Sequence, residues 1–127
     1  MPAEQVVLAG VRDIDPPDLT MITEHGIPVV PPGPDFARRL SEAVAGRPVY
    51  VHVDCDVLEP GTVSTDYVVG NGLTLDDLHA GLTVLADGDV VGIQIAEFES
   101  GEDQETTAHA ASQVVRAIRP VLPVFGV

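Results

Sequence analysis

Two aspartates one residue apart, Asp54 and Asp56, close the apolar run Val49-Tyr50-Val51-His52-Val53. In an extended chain, residues i and i+2 point to the same side about 6–7 Å apart, so both carboxylates can converge on one hard cation or on a pair. That geometry suits metal-assisted hydrolysis. Asp is also common where strands run into solvated loops. What distinguishes this pair is the apolar run before it and the Leu58-Glu59-Pro60-Gly61 turn after it. A second acid repeats the relation: Val90-Val91-Gly92-Ile93-Gln94-Ile95-Ala96 ends in Glu97. Ligands of open α/β sheets bind outside the carboxyl ends of the strands, so two strands that end in acids predict a cationic site. Glu99 is an alternative ligand, expected to face solvent instead. Cys55 lies between the two aspartates, so its side chain is expected on the opposite face of the strand, as a small buried hydrophobe.

The elements that must position these acids follow from periodicity. The β-branched run from Val49 reads as a strand buried on both faces, as inside a parallel sheet, and Val90–Ala96 reads the same way. Gln5–Gly10 is a short strand with Arg12-Asp13 at its carboxyl end, and Ile27–Val30 is another. Asp15-Pro16-Pro17-Asp18 offers a cap and first-turn prolines for a helix whose inner face is Leu19, Ile22 and Met21, ending at Gly26. Asp35–Ala45 is a helix with Phe36, Leu40 and Val44 in one stripe and Gly46 as its C-cap. Thr74-Leu75-Asp76-Asp77 is a capping arrangement opening a helix to Ala86 that buries Leu75, Leu78, Leu82 and Leu85, with His79 in a packing or surface role. Glu102–Ile118 is a final helix with Ala108, Ala111, Val115 and Ile118 inward and His109 structural. Val121–Val127 is expected to add an edge strand, the one place in a sheet where Pro123 is tolerated. Strand and helix alternate throughout. The expected class is therefore α/β, three layers around a mainly parallel sheet, in a single domain over residues 1–127.

Composition bounds the chemistry. The net charge is −14, from 20 acidic and 6 basic residues, and all the basic residues are arginine. Such a surface repels nucleic acid and anionic lipid. The absence of lysine removes Schiff-base chemistry and a Walker-type phosphate loop. It also argues against a phosphoacceptor receiver domain, which needs a lysine at a later strand end. No apolar stretch reaches the roughly 18 residues of a membrane span. A start without a secretory pattern and a single cysteine give the expectation of a reducing, cytoplasmic setting.

The run His52-Val53-Asp54-Cys55-Asp56-Val57-Leu58-Glu59-Pro60, followed by Gly70-Asn71-Gly72-Leu73-Thr74, resembles the third signature of the ureohydrolases, the arginase, agmatinase and formimidoylglutamase family. Its pattern is roughly Ser-Phe-Asp-x-Asp-x-x-Asp-Pro, then a Pro-Gly-Thr loop and Gly-Gly-Leu-Thr. Val7-Leu8-Ala9-Gly10-Val11-Arg12-Asp13 is similar to the family's strand ending in Gly-x-Arg-Asp, and Val90 to Glu97 to its strand ending in a guanidinium-binding glutamate. The resemblance implies a partial arginase-like fold, with Asp54 and Asp56 as metal ligands and Glu97 as the acid that binds substrate. The implied cofactor is a pair of Mn2+ ions, and the implied reaction is hydrolysis of a guanidino compound such as arginine or agmatine. Two departures are visible. The earlier motifs Gly-Gly-Asp-His and Asp-Ala-His-x-Asp do not occur in these 127 residues, and the loop Glu59–Asn71, where Asp66 and Tyr67 have chemical potential, is shorter than the family's. The chain is thus expected to look like the family's carboxyl-terminal half, to bind manganese weakly or not at all, and to associate with itself or with the missing amino-terminal half. A non-catalytic interaction or assembly domain is the alternative.

Overall fold

A computed structural model describes residues 1–127. Four strands and four α-helices alternate: β1 (Leu8–Ala9), α1 (Pro16–His25), β2 (Val29–Val30), α2 (Phe36–Val44), β3 (Val49–Asp54), α3 (Leu75–Ala86), β4 (Val90–Ala96) and α4 (Gln104–Ile118). Short 3-10 turns cover Ala3–Gln5, Cys55–Val57 and Arg119–Phe125. The class is α/β as expected, and every strand pairing is parallel. The strands form two separate pairs, β1 with β2 and β3 with β4.

The helix ends follow local chemistry. Asp15 caps α1 by accepting the Asp18 N–H at 3.0 Å, and Gly26 closes it in the left-handed conformation. Asp103 caps α4 by accepting the Thr106 N–H at 2.7 Å, which holds its carboxyl below the usual range. This cap starts α4 two residues after the expected Glu102. At α2 the left-handed C-cap is Ala45 rather than Gly46. Thr74 and Asp77 form a reciprocal capping box on α3, each side chain accepting the other's backbone N–H at 3.0 Å. Thr74→Ala removes one acceptor and is expected to cost about 1 kcal/mol in urea denaturation; a loss below about 0.3 kcal/mol would show that α3 is held by packing alone.

Helix α3 sits between α2 and α4 and also touches the terminal 3-10 turn. Phe36, Leu40 and Val44 of α2 are buried, as expected, and so are Leu78, Leu82 and Leu85 of α3, while Leu75, expected in the same stripe, is only partly buried. Other expectations fail. In α1 only Ile22 is buried, while Leu19 and Met21 are about half exposed. In α4 the inner face is Ala110, Val114, Ala117 and Ile118, so the stripe is rotated and Val115 faces out. Residues 119–125 coil into a 3-10 turn instead of an edge strand. The fixed φ of Pro120 and Pro123 suits that turn, which buries Val121 completely.

Strand β3 is not buried on both faces. Val49, Val51 and Val53 face the core with Ile93 and Ile95 of β4. The opposite face carries Tyr50 beside Gly92 and His52 beside Gln94, and Tyr50 is 62% exposed. The β-branched residues of the run are Val49, Val51 and Val53, and Tyr50 and His52 alternate with them, the period-two pattern of a strand covered on one face.

Candidate functional site

β3 and β4 run in the same direction with Asp54 opposite Ala96, so Glu97 follows Ala96 onto the edge where Asp54 and Asp56 emerge. After Asp54 the chain turns sharply. The Asp54 carboxylate accepts the Asp56 N–H at 2.9 Å and caps the 3-10 turn Cys55–Val57. Asp56 accepts the Thr65 hydroxyl at 2.5 Å, which ties the following loop to the pair. Both aspartates are half-buried, whereas Glu97 is exposed and has a left-handed backbone (φ 55°). Cys55 points inward and is 1% exposed, as expected of a small hydrophobe. Burial, followed by the negative charges of Asp54, Asp56 and Glu97, pushes its thiol up to about 11.

Arg12 organises this edge, a role not apparent in the sequence reading. It stands three residues beyond β1, and its guanidinium donates to the carbonyls of Asp56 (2.9 Å), Val57 (3.2 Å), Leu58 (3.2 Å) and Val69 (2.7 Å). It also lies 5.1 Å from the centre of the Tyr67 ring, within cation–π range. A fork of fixed N–H directions can satisfy several carbonyls at once, which a lysine ammonium cannot do as well. The signal in the sequence was an arginine directly after a strand end, in a chain with only six cations.

The loop beyond Asp56 is held at both ends. Glu59 accepts the Gly72 N–H at 2.6 Å, while Glu59 N–H and Leu73 carbonyl pair at 2.8 Å. Ser64 bridges to Glu99, which places Glu99 against the loop and in solvent as expected. Asp66 is exposed, and Tyr67 serves as Arg12's platform. His79 and His109 lie on helix surfaces.

The donor set also limits metal binding. Asp54 and Asp56 offer oxygens suited to a hard divalent ion, but each already accepts a hydrogen bond, and no group of three His, Cys, Asp or Glu side chains is placed to hold an ion.

Acids gathered at the carboxyl ends of β3 and β4 give this α/β protein an acidic rim. Residues 1–119 match the arginase family, and the chain belongs to that family. It is 34% identical over 117 residues to N(omega)-hydroxy-L-arginine amidinohydrolase of Streptomyces lavendulae, covering 92% of this chain and 43% of that protein. It is 38% identical over 77 residues to agmatinase of Bacillus subtilis strain 168, covering 58% of this chain and 27% of that protein. Among solved structures, arginase from Bacillus caldovelox superposes with a TM-score of 0.75 at 25% identity, over 93% of this chain and 44% of that one. Formimidoylglutamase from Bacillus subtilis gives 0.75 at 18% identity, over 97% and 43%, a likeness of fold. The chain thus spans less than half the length of these relatives. No helix is long and apolar enough to cross a membrane.

Proposed function

We propose that this chain forms one side of the catalytic rim of an arginase-family hydrolase acting on guanidino compounds. In this reading Asp54 and Asp56 are metal ligands and Glu97 receives the planar guanidinium group. Such a cation pairs with a carboxylate in bidentate fashion, and a hard metal takes oxygen donors. The observation that carries the reading is the placement of three acids from two neighbouring strands on one edge, with Arg12 and Thr65 holding the chain that bears two of them. A left-handed non-glycine residue at the end of β4 adds support, because strained backbone concentrates where ligands are held.

The metal implied by the family is manganese, which would supply the nucleophile by lowering the pKa of bound water. With two carboxylates and no third ligand, this chain contributes only part of the shell, and the remaining ligands come from outside residues 1–127. Its own side chains orient the ion and the substrate. The same reading places the chain where Cys55 stays reduced, in the cytoplasm, and as part of a larger assembly.

The test is titration of the 127-residue chain with Mn2+, together with urea release from arginine and agmatine and hydroxyurea release from N-hydroxyarginine. The expected result is binding no tighter than roughly millimolar, in the range of sparse, unenclosed carboxylate sites, weakened further by Asp54→Asn, with no measurable turnover. Turnover by this polypeptide alone would overturn the partial-site reading. Metal binding unaffected by both Asp54→Asn and Asp56→Asn would overturn the ligand assignment.

A further inference from the structure

We propose that the Asn71-Gly72 peptide is a site of spontaneous deamidation, held unreactive by the Glu59 carboxylate, and that its reaction permanently loosens the loop from the rim. The inference rests on the geometry of the loop and not on the hydrolase reading. Asn71 is the one asparagine in the chain, and glycine follows it. It is exposed, and its backbone is left-handed at φ 62°. That conformation is costly for most residues with a Cβ, and asparagine is among the few that visit it routinely. Gly72 has no side chain to shield its nitrogen from the neighbouring amide.

An asparagine amide is chemically labile, and one followed by glycine can close on its own backbone. The Gly72 nitrogen gives up its proton and attacks Asn71 Cγ, which forms a C–N bond and a five-membered succinimide. The Cγ–Nδ2 bond breaks, and Nδ2 leaves as ammonia with the proton. Water then adds to one of the two ring carbonyls. The products are aspartate at residue 71, or isoaspartate, in which the main chain runs through Cγ. Water is consumed and ammonia released, and nothing is oxidised or reduced.

Glu59 holds the attacking atom. Its carboxylate accepts the Gly72 N–H at 2.6 Å, a charge-assisted bond. Attack breaks that bond and leaves an amide anion beside a carboxylate, which like-charge repulsion disfavours. The Gly72 backbone is also fixed in place, because Leu73 on its far side pairs twice with the opposing segment, by its N–H to the Val57 carbonyl and by its carbonyl to the Glu59 N–H, each at 2.8 Å. The reaction therefore proceeds from the opened loop, at a rate scaled by the fraction open. Isoaspartate then prevents reclosure. It adds one backbone carbon just before Gly72, where a methyl group would already stand 2.7–2.8 Å from Leu58, Glu59 and Arg12, so the Leu58–Leu73 bridge cannot re-form in register. The loop so released carries Thr65, which donates to Asp56, and the Val69 and Gly70 carbonyls, which hold Arg12.

The experiment incubates the 127-residue chain in mildly alkaline buffer, folded and in guanidinium chloride, and follows ammonia release, peptide mass and isoaspartate at residue 71. Mass separates this site from Asp87-Gly88, where ring closure expels water and reopening restores the original mass. The folded parent is expected to react at least about tenfold more slowly than the unfolded chain, and Glu59→Ala at least about tenfold faster than the folded parent, through loss of a hydrogen bond to a charged acceptor. In the isoaspartyl product, amide exchange at Glu59 and Leu73 is expected to rise at least about tenfold. Should Glu59→Ala not fold, Glu59→Gln keeps an acceptor without the charge and is expected to react at least about threefold faster than the parent. A folded parent as reactive as the unfolded chain, a folded Glu59 variant no faster than the parent, or unchanged exchange at Glu59 and Leu73 after conversion overturns the proposal. Neither metal nor substrate enters the readout, so this inference and the hydrolase reading fail independently.

Discussion

Arg12→Ala is expected to lower the unfolding free energy by about 3–5 kcal/mol, the upper range for a single substitution. Hydrogen bonds to a charged donor are worth about 1.5–3 kcal/mol each, and neighbouring bonds from one side chain do not add fully. Five carbonyls from two separate chain segments, those of Asp56, Val57, Leu58, Val69 and Gly70, lose their donor together, and Tyr67 loses the cation above its ring. For a chain of this size that loss corresponds to a fall of roughly 10–20 °C in melting temperature. Arg12→Lys keeps the charge but not the fork and is expected to recover less than half of the loss. Because Arg12 secures the carbonyl of Asp56 itself, both variants are also expected to raise amide exchange in 55–58 and 67–70 ahead of the helices. A melting temperature within about 3 °C of the parent for Arg12→Ala would show that the carbonyls are equally well served by water.

The same residue marks where the sequence stops being readable. Each of the helices α2 and α3 is specified by its own stripe and caps, local signals that survive in any context. The acids at 54, 56 and 97 were visible for a similar reason, since each closes an apolar run and a parallel sheet sends such ends to one edge. Arg12 acts across more than forty residues, on backbone carbonyls that carry no side-chain signature. The open face of Tyr50 and His52 is missed when the run is read by its overall hydrophobicity, although Val49, Val51 and Val53 alternate with these two residues at the period of a half-covered strand. The rotated stripe of α4 has a simpler cause. With alanines and valines at 108, 110, 111, 114, 115 and 117, several faces are nearly equally apolar, and packing against α3 selects among them.

Gly72→Ala is expected to be about as damaging as the loss of Arg12 and to act on the same junction. A Cβ at residue 72 would stand 2.7 Å from the Leu58 carbonyl carbon, 2.8 Å from the Glu59 nitrogen and 2.8 Å from Arg12 Nη2. Two of these atoms are backbone and cannot swing aside, so the strand-like bridge between Leu58 and Leu73 must open. Opening it breaks the Glu59 to Leu73 pairing, withdraws the Gly72 N–H from the Glu59 carboxylate and exposes Leu73, one of the most deeply buried side chains. Overpacking of this kind costs about 1–3 kcal/mol, and loss of a buried leucine contact about 2–5 kcal/mol. A net loss near 4 kcal/mol is expected in urea denaturation. Gly70→Ala supplies the control two residues away: its nearest neighbour would be the Glu59 carboxylate at 3.9 Å, ordinary contact, and its φ is not in the left-handed region. That variant is expected to lie within about 0.5 kcal/mol of the parent. If the two glycine variants prove equally stable, the close approach of residue 72 to the Leu58–Glu59 peptide is not what holds the loop against the rim, and the positioning of Asp56 by that loop loses its main structural support.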